Sequence, residues 1–513
     1  MARSQLIGPL LRQLLSIVQP AIVGSLLALA PAAVGCSSDD PSDTTTGGQS
    51  PGGAGTGSGV SGNNNSAGGG SGTAGSNTGG GSVGVAGTGA AGAPGTAGTG
   101  AGSGGTGTGG AGVAGASGNG AASGGGGAAT GGSGGGATGD LHWVGTWAAS
   151  PYLAASDAQP AAPLSNSVLR QVTHASIGGS QIRVQFSNTV GNGAVTIKAA
   201  HVALCKATPK VDGSIDTTTD KALTFSGMAG VTIAQGMEIW SDPVDFTIPP
   251  LGNVSITTAL GSVPSSLTAH AGARTDSYVQ AGSTDVSAAN LTSAPHNLHW
   301  YFISGIDVMA PAAANAIVAI GDSITDGRGT TDNGNTRWTD YLAARLQANA
   351  ATANVAILNQ GIGATNLVGT GTAAEARFAR DVLGQSGVKY VIVFDGTNDI
   401  GGGAGNLQGM KAVYDKMIKA AHDKGLKIYG ATILPFGGNS YYAHEALRKD
   451  VNTYIRSGVF DAVIDFDAAL TDGKTGADEP KLVPAAESTD ALHPGPGGYK
   501  MMADKIDLTL FTK

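Results

Sequence analysis

The chain is 513 residues long, carries a formal net charge of −8 and contains 86 glycines. Length leaves room for two or three domains, but about half of the glycines fall between residues 41 and 140, a stretch too poor in apolar side chains to build a core. An acidic balance with no Lys/Arg cluster argues against a nucleic-acid partner.

In chain order, Arg3 and Arg12 precede an apolar stretch at residues 21–34 that is broken by Gly24 and Pro31. It falls short of the roughly 20 residues a membrane-crossing helix needs and reads as an export signal. Small residues then lead to Cys36 in "AVGCSSDD", which resembles the lipobox of bacterial lipoproteins. The resemblance implies that residues 1–36 are a lipoprotein-type signal and that Cys36 is lipidated, anchoring the protein to a membrane at the cell surface or in the periplasm. Cleavage near "ALAPA" would instead give a soluble secreted protein. If Cys36 is acylated, Cys205 has no intramolecular disulfide partner; within "AAHVALCK" it reads as a buried free thiol.

Residues 37–139 are almost entirely Gly, Ser, Ala and Thr, with no charge between Asp43 and Asp140, and read as a disordered linker. A Gly-rich tether of roughly 100 residues has a mean span of about 50 to 60 Å. The run Gly105, Gly107, Gly110 satisfies GxGxxG by composition alone, with no strand before it and no helix after it.

From residue 140 to about 310, short apolar runs alternate with turn residues. In "QIRVQF" Ile182, Val184 and Phe186 alternate with polar neighbours, the period of a half-buried strand, and the whole region is expected to be an all-β sandwich. "HNLH" at residues 296–299 reads as strand rather than metal ligands, since nothing nearby completes a site.

The pattern changes in residues 311–513. Apolar strands "AIVAIG", "VAILNQ", "YVIVFDG", "KIYGATILP" and "AVIDFD" alternate with helical patterns around residues 338–348, 373–383, 407–424, 444–455 and 498–510. Such alternation predicts a parallel sheet, in which ligands bind beyond the carboxyl ends of the strands.

Those strand ends carry Asp322 and Ser323, then Asn359, Gly361 and Gly363, then Gly396, Asn398 and Asp399; a late loop adds Asp490 and His493. Acyl transfer by serine needs a base, a carboxylate to orient it, and donors for the oxyanion, and all of these groups are present. Asp490, three residues before His493, can reach back to the ring and fix one tautomer. Asp322 and Asp399 are assigned to turn and helix-start hydrogen bonds. The GxSxG elbow is missing, because Thr325 stands where its last glycine belongs, and "DGKT" near Lys474 lacks the first glycine of a phosphate loop.

The blocks "GDSIT", "NQGIG", "GTND" and "DALH", in that order, resemble those of the SGNH, or GDSL, hydrolases. The resemblance implies a flavodoxin-like three-layer α/β/α fold for residues 311–513. It also implies Ser323 as nucleophile, His493 as general base and then acid, Asp490 as its orienter, and an oxyanion hole of the Ser323 and Gly361 N–H groups with the Asn398 side chain. No metal or organic cofactor is implied. "VGTWAASP", "LRQVTHASIGGSQIRVQFSN" and "ILPFGG" are further similar to secreted two-domain arylesterases or acylhydrolases, some associated with plant polysaccharide breakdown. The expected partner is thus an ester substrate, with O-acetyl groups on a polysaccharide foremost. A lipid ester, or glycan binding by the sandwich beside an inert hydrolase domain, are the alternatives.

Overall fold

The computed structural model describes residues 140–206, 211–473 and 479–512. The expected signal, Cys36 and the linker lie outside the described residues.

Residues 140–311 are rich in strands and form three antiparallel sheets. One has the order Leu141–Ala148, Ile303–Pro311, Gly179–Asn188, Met237–Trp240, and Val244–Ile248 also pairs with Gly179–Asn188. The second runs His296–Asn297, Ser277–Ala281, Ser167–His174, Asn253–Leu260, Val195–Leu204, Lys221–Leu223, with Val231–Ile233 also on Val195–Leu204. The third joins Trp300–Tyr301, Thr268–His270 and Tyr152–Leu153. Alternation fixes which face goes inward: Ile182, Val184 and Phe186 are fully buried, while Gln181, Arg183 and Gln185 between them are half-exposed. Cys205, just past its strand, is half-buried rather than buried, and desolvation pushes its thiol up to about 12. His296 and His299 of "HNLH" are engaged by the backbone carbonyls of Ala294 and Ala271.

The second half is built on five parallel strands, Asn315–Gly321, Val355–Gly361, Val388–Phe394, Lys427–Ala431 and Ala462–Ile464. Their spatial order, second-first-third-fourth-fifth, is that of flavodoxin-like doubly wound sheets. Ala316 to Ile320 of the central strand are all fully buried, as a strand covered on both faces must be. The helices fall into two groups: Trp338–Gln347 packs on Pro496–Lys505, and Leu407–Asp423 on Glu445–Ile455. Leu407–Asp423 buries Met410, Val413, Tyr414, Met417 and Ala421, one helical stripe, and Asn406 caps it by accepting the Gly409 N–H at 2.8 Å. The helix expected at residues 373–383 is α-helical only over Ala374–Phe378 and finishes as a π-turn.

The two halves share one hydrophobic core. Val144, Ile182, Val184 and Ile256 of the first belong to the same buried cluster as Ile317, Leu358 and Val391 of the second. Strand Leu141–Ala148 lies against Val355–Gly361; a Cβ on Gly145 would stand 2.7 Å from Leu358 Cδ1, so a larger residue there would make that side chain shift. Polar links cross the same seam: the Gly145 N–H donates to Ser386 O at 3.0 Å, and the Ile357 N–H to Ser176 Oγ at 3.1 Å.

Candidate active site

The central strand ends at Gly321, where a Cβ would lie 2.3 Å from Thr325 Oγ1 and 2.4 Å from Phe394 O. The chain therefore turns at once. Asp322 accepts the Ile324 N–H at 2.9 Å as helix cap, and the single turn Ser323–Asp326 closes on Gly327 in the left-handed region. Asp322 thus has the helix-start role expected of it. Asp399 is different: it accepts the N–H groups of Leu367 and Val368 at 2.7 and 3.0 Å, tethering the loop after the second strand rather than its own helix.

Three residues meet as the sequence implied. Ser323 Oγ lies 2.8 Å from His493 Nε2, and His493 Nδ1 lies 2.7 Å from Asp490 Oδ2. The other carboxylate oxygen of Asp490 accepts the backbone N–H groups of His493 and Leu492 at 2.8 and 3.0 Å. Burial opposes its charge, but these bonds and the imidazole bring the Asp490 carboxyl down to about 2. Facing a carboxylate, Nδ1 must carry the ring proton, which leaves Nε2 to accept from the Ser323 hydroxyl. Desolvation lowers the basicity of His493 and outweighs Asp490, so the ring is neutral near pH 7. A polarised serine beside a neutral, oriented imidazole has the geometry a nucleophile and its base need for proton transfer.

The oxyanion groups divide. Asn398 has its carboxamide fixed at both ends, Nδ2 donating to Thr365 O at 2.8 Å and Oδ1 accepting from the Tyr441 hydroxyl at 3.2 Å. Its second Nδ2 hydrogen is left over. Gly361 is not available for the role the sequence assigned to it: its N–H donates to Asn359 Oδ1 at 2.9 Å. A Cβ there would stand 2.3 Å from Asp326 N, so this glycine exists to let the second strand pass the nucleophile's helix. Three residues on, Ala364 has φ 58°, is exposed, and its N–H donates to no group among the described residues.

Two further features escaped the sequence reading. Asp395 is fully enclosed beside Asp322; burial first, then its neighbour's charge, raises its carboxyl well above the usual range, and burial pushes Asp322 up to about 6. His270, from the strand-rich half, lies 2.9 Å from Asp326 at the end of the nucleophile's helix. Neither sits in a recognisable motif, and each acquires its partner only through the fold.

Residues 319–501 match the model of the GDSL-like Lipase/Acylhydrolase family. No curated protein matches the chain. Among solved structures, the chain is similar to a protein of Desulfitobacterium hafniense DCB-2 assigned to the G-D-S-L lipolytic family, at 24% identity over 37% of this chain and 97% of that one, TM-score 0.30. A GDSL-like lipase of Bacteroides thetaiotaomicron VPI-5482 matches at 18% identity over 38% and 88%, TM-score 0.28. An acetylxylan esterase of Geobacillus stearothermophilus matches at 22% identity over 37% and 91%, TM-score 0.30.

Proposed function

We propose that this chain, an ester-hydrolysing enzyme whose residues 319–501 are a GDSL-type acylhydrolase domain, removes short acyl groups from carbohydrate or aryl esters through an acyl-enzyme on Ser323. The observation that carries the mechanism is the relay from Ser323 through His493 to Asp490, at 2.8 and 2.7 Å. Ser323 attacks the ester carbonyl as His493 takes its proton. The oxyanion is received by the N–H groups of Ser323 and Ala364 and the remaining amide hydrogen of Asn398. His493 returns the proton to the leaving alkoxide, then activates water to release the acid.

The preference for short acyl groups rests on the resemblance of the sequence to two-domain arylesterases and acylhydrolases.

From the sequence we further read residues 140–310 as a β-sandwich that borders a flavodoxin-like three-layer catalytic domain of residues 311–513. We also read the protein as exported and tethered to a membrane through lipid on Cys36. Loss of detergent partitioning in Cys36→Ala tests the anchor.

The activity is tested with 4-nitrophenyl esters from acetate to palmitate, on the whole protein beside Ser323→Ala. Turnover highest at acetate and absent from the variant is expected; rates that rise with chain length would replace the reading with a lipid acylhydrolase.

A further inference from the structure

His270 ends strand Thr268–His270, far in sequence from every catalytic block, yet its ring is 4% exposed and both nitrogens are occupied. Nδ1 lies 3.0 Å from Ser150 O, and Nε2 lies 2.9 Å from Asp326 Oδ1. Tyr152 meets the ring edge-on at 5.6 Å and Trp300 lies against it at 5.6 Å, so the imidazole has one orientation. The second oxygen of Asp326 accepts the Gly363 N–H at 2.9 Å. Gly363 immediately precedes Ala364. The Asp326 carboxylate therefore bridges His270 to the loop that presents the proposed oxyanion donor.

The protons can be counted. A backbone carbonyl only accepts, so Nδ1 carries hydrogen. A hydrogen bond between Nε2 and Oδ1 needs a second proton. Asp326 Oδ2 is already accepting from Gly363, and Arg337 donates from Nε to Asp326 O at 2.9 Å. Burial opposes the Asp326 charge, but His270, Arg274 and Arg337 beside it hold the carboxyl below its usual range. The second proton lies between ring and carboxylate, so each fixes the other in place. A Cβ on Gly272 would fall 2.0 Å from Asp326 Oδ2, which shows how tightly the strand-rich half closes over the pair.

We propose that His270 is a positioning residue for ester hydrolysis: from its buried place it holds Asp326, which through the Gly363 N–H sets the Ala364 N–H for the oxyanion. The strand-rich half then contributes to catalysis and not only to packing. This rests on the esterase reading above. Because an oxyanion donor acts on the transition state, its misplacement lowers kcat and leaves KM nearly unchanged.

The test uses the full chain and two variants that divide the ring's functions. In His270→Gln the amide nitrogen can still reach Asp326; in His270→Asn it can replace only Nδ1. With 4-nitrophenyl acetate, His270→Asn is expected to lose about 10² in kcat, the effect of one oxyanion donor, with KM within about threefold. His270→Gln should recover to within about tenfold of wild type. Equal losses in both variants, or unchanged kcat in a folded His270→Asn variant, would overturn the positioning role. The Gly363 N–H, on an exposed residue yet bonded to Asp326 Oδ2, should exchange with deuterium slowly in the wild type; exchange at the rate of a free amide overturns the bridge even if neither variant folds. A wild type that hydrolyses no ester would overturn the esterase reading and the positioning role with it, while the exchange rate would still report the bridge.

Discussion

Replacing Asp490 with Asn tests the relay at its most exposed member. Asp490 divides its oxygens, Oδ1 to the N–H groups of Leu492 and His493 and Oδ2 to His493 Nδ1 at 2.7 Å. An asparagine that keeps its oxygen on the two backbone donors must place its NH2 against Nδ1. The ring proton then moves to Nε2, facing Ser323 Oγ, and the nucleophile loses its base. The opposite flip would restore the tautomer but aim NH2 at two N–H groups, forfeiting two hydrogen bonds at roughly 1 kcal/mol each. Trapping the wrong tautomer costs on the order of 10³ to 10⁴ in kcat, or about 4 to 5.5 kcal/mol of barrier. Stability should barely change, because the Asp490 side chain is 39% exposed and such pairs contribute roughly 0 to 1 kcal/mol. Asp490→Ala leaves the ring free to choose its tautomer and is expected to lose less than Asp490→Asn. The assay is kcat for 4-nitrophenyl acetate beside a thermal melt of each variant. An Asp490→Asn enzyme within about tenfold of wild type would refute the reasoning, since something else would then be orienting His493.

The acid limb of kcat/KM should fall below pH 6.5, because desolvation depresses His493 and only its neutral form accepts the Ser323 proton; a limb above 6.5 in a pH-rate profile contradicts this. Asp322, raised to about 6 from 3.8 by burial, contributes stability that is complete below the unfolded value and is lost as pH rises through about 6. Urea titrations should show Asp322→Asn, which keeps its acceptor for the Ile324 N–H, gaining on wild type between pH 4 and 7 by on the order of 3 kcal/mol. Gly361→Ala puts a methyl 2.3 Å from Asp326 N and should cost at least about 1 to 3 kcal/mol in a denaturant titration. Ala364→Gly keeps the N–H and relieves a left-handed alanine, so it should gain about 1 kcal/mol with kcat unchanged; lost activity would mean that the alanine methyl itself meets the substrate.

The relay was legible because each of its members follows a strand or opens a helix in a short polar block, and strand ends are where such a sheet exposes side chains. Gly361 was misread for a physical reason. A glycine can serve by bringing its N–H to a ligand or by letting another chain pass, and the letters do not say which; here Asn359 takes the N–H and Asp326 takes the space. Ala364 gave no signal, since its left-handed backbone would ordinarily be announced by Gly or Asn. His270 and Asp326 are 56 residues apart and meet only because two sheets close on each other. Alternation predicted the strands of the first half, but not their sorting into three sheets, which depends on pairings such as Ser167–His174 with Asn253–Leu260.

The seam between the halves bears on how this protein could have been assembled or could be cut. Likeness to the acylhydrolase family begins at residue 319, inside the central strand Asn315–Gly321. A fragment started near that point would lose half of the innermost strand and uncover Leu358, which Gly145 now shields. Moving the boundary back to residue 311 would save the strand but still strip away Leu141–Ala148 and the imidazole of His270. The unit that can be inherited or transplanted whole is thus longer than the unit that can be recognised, and its first indispensable strand starts about 180 residues upstream of the nucleophile's helix.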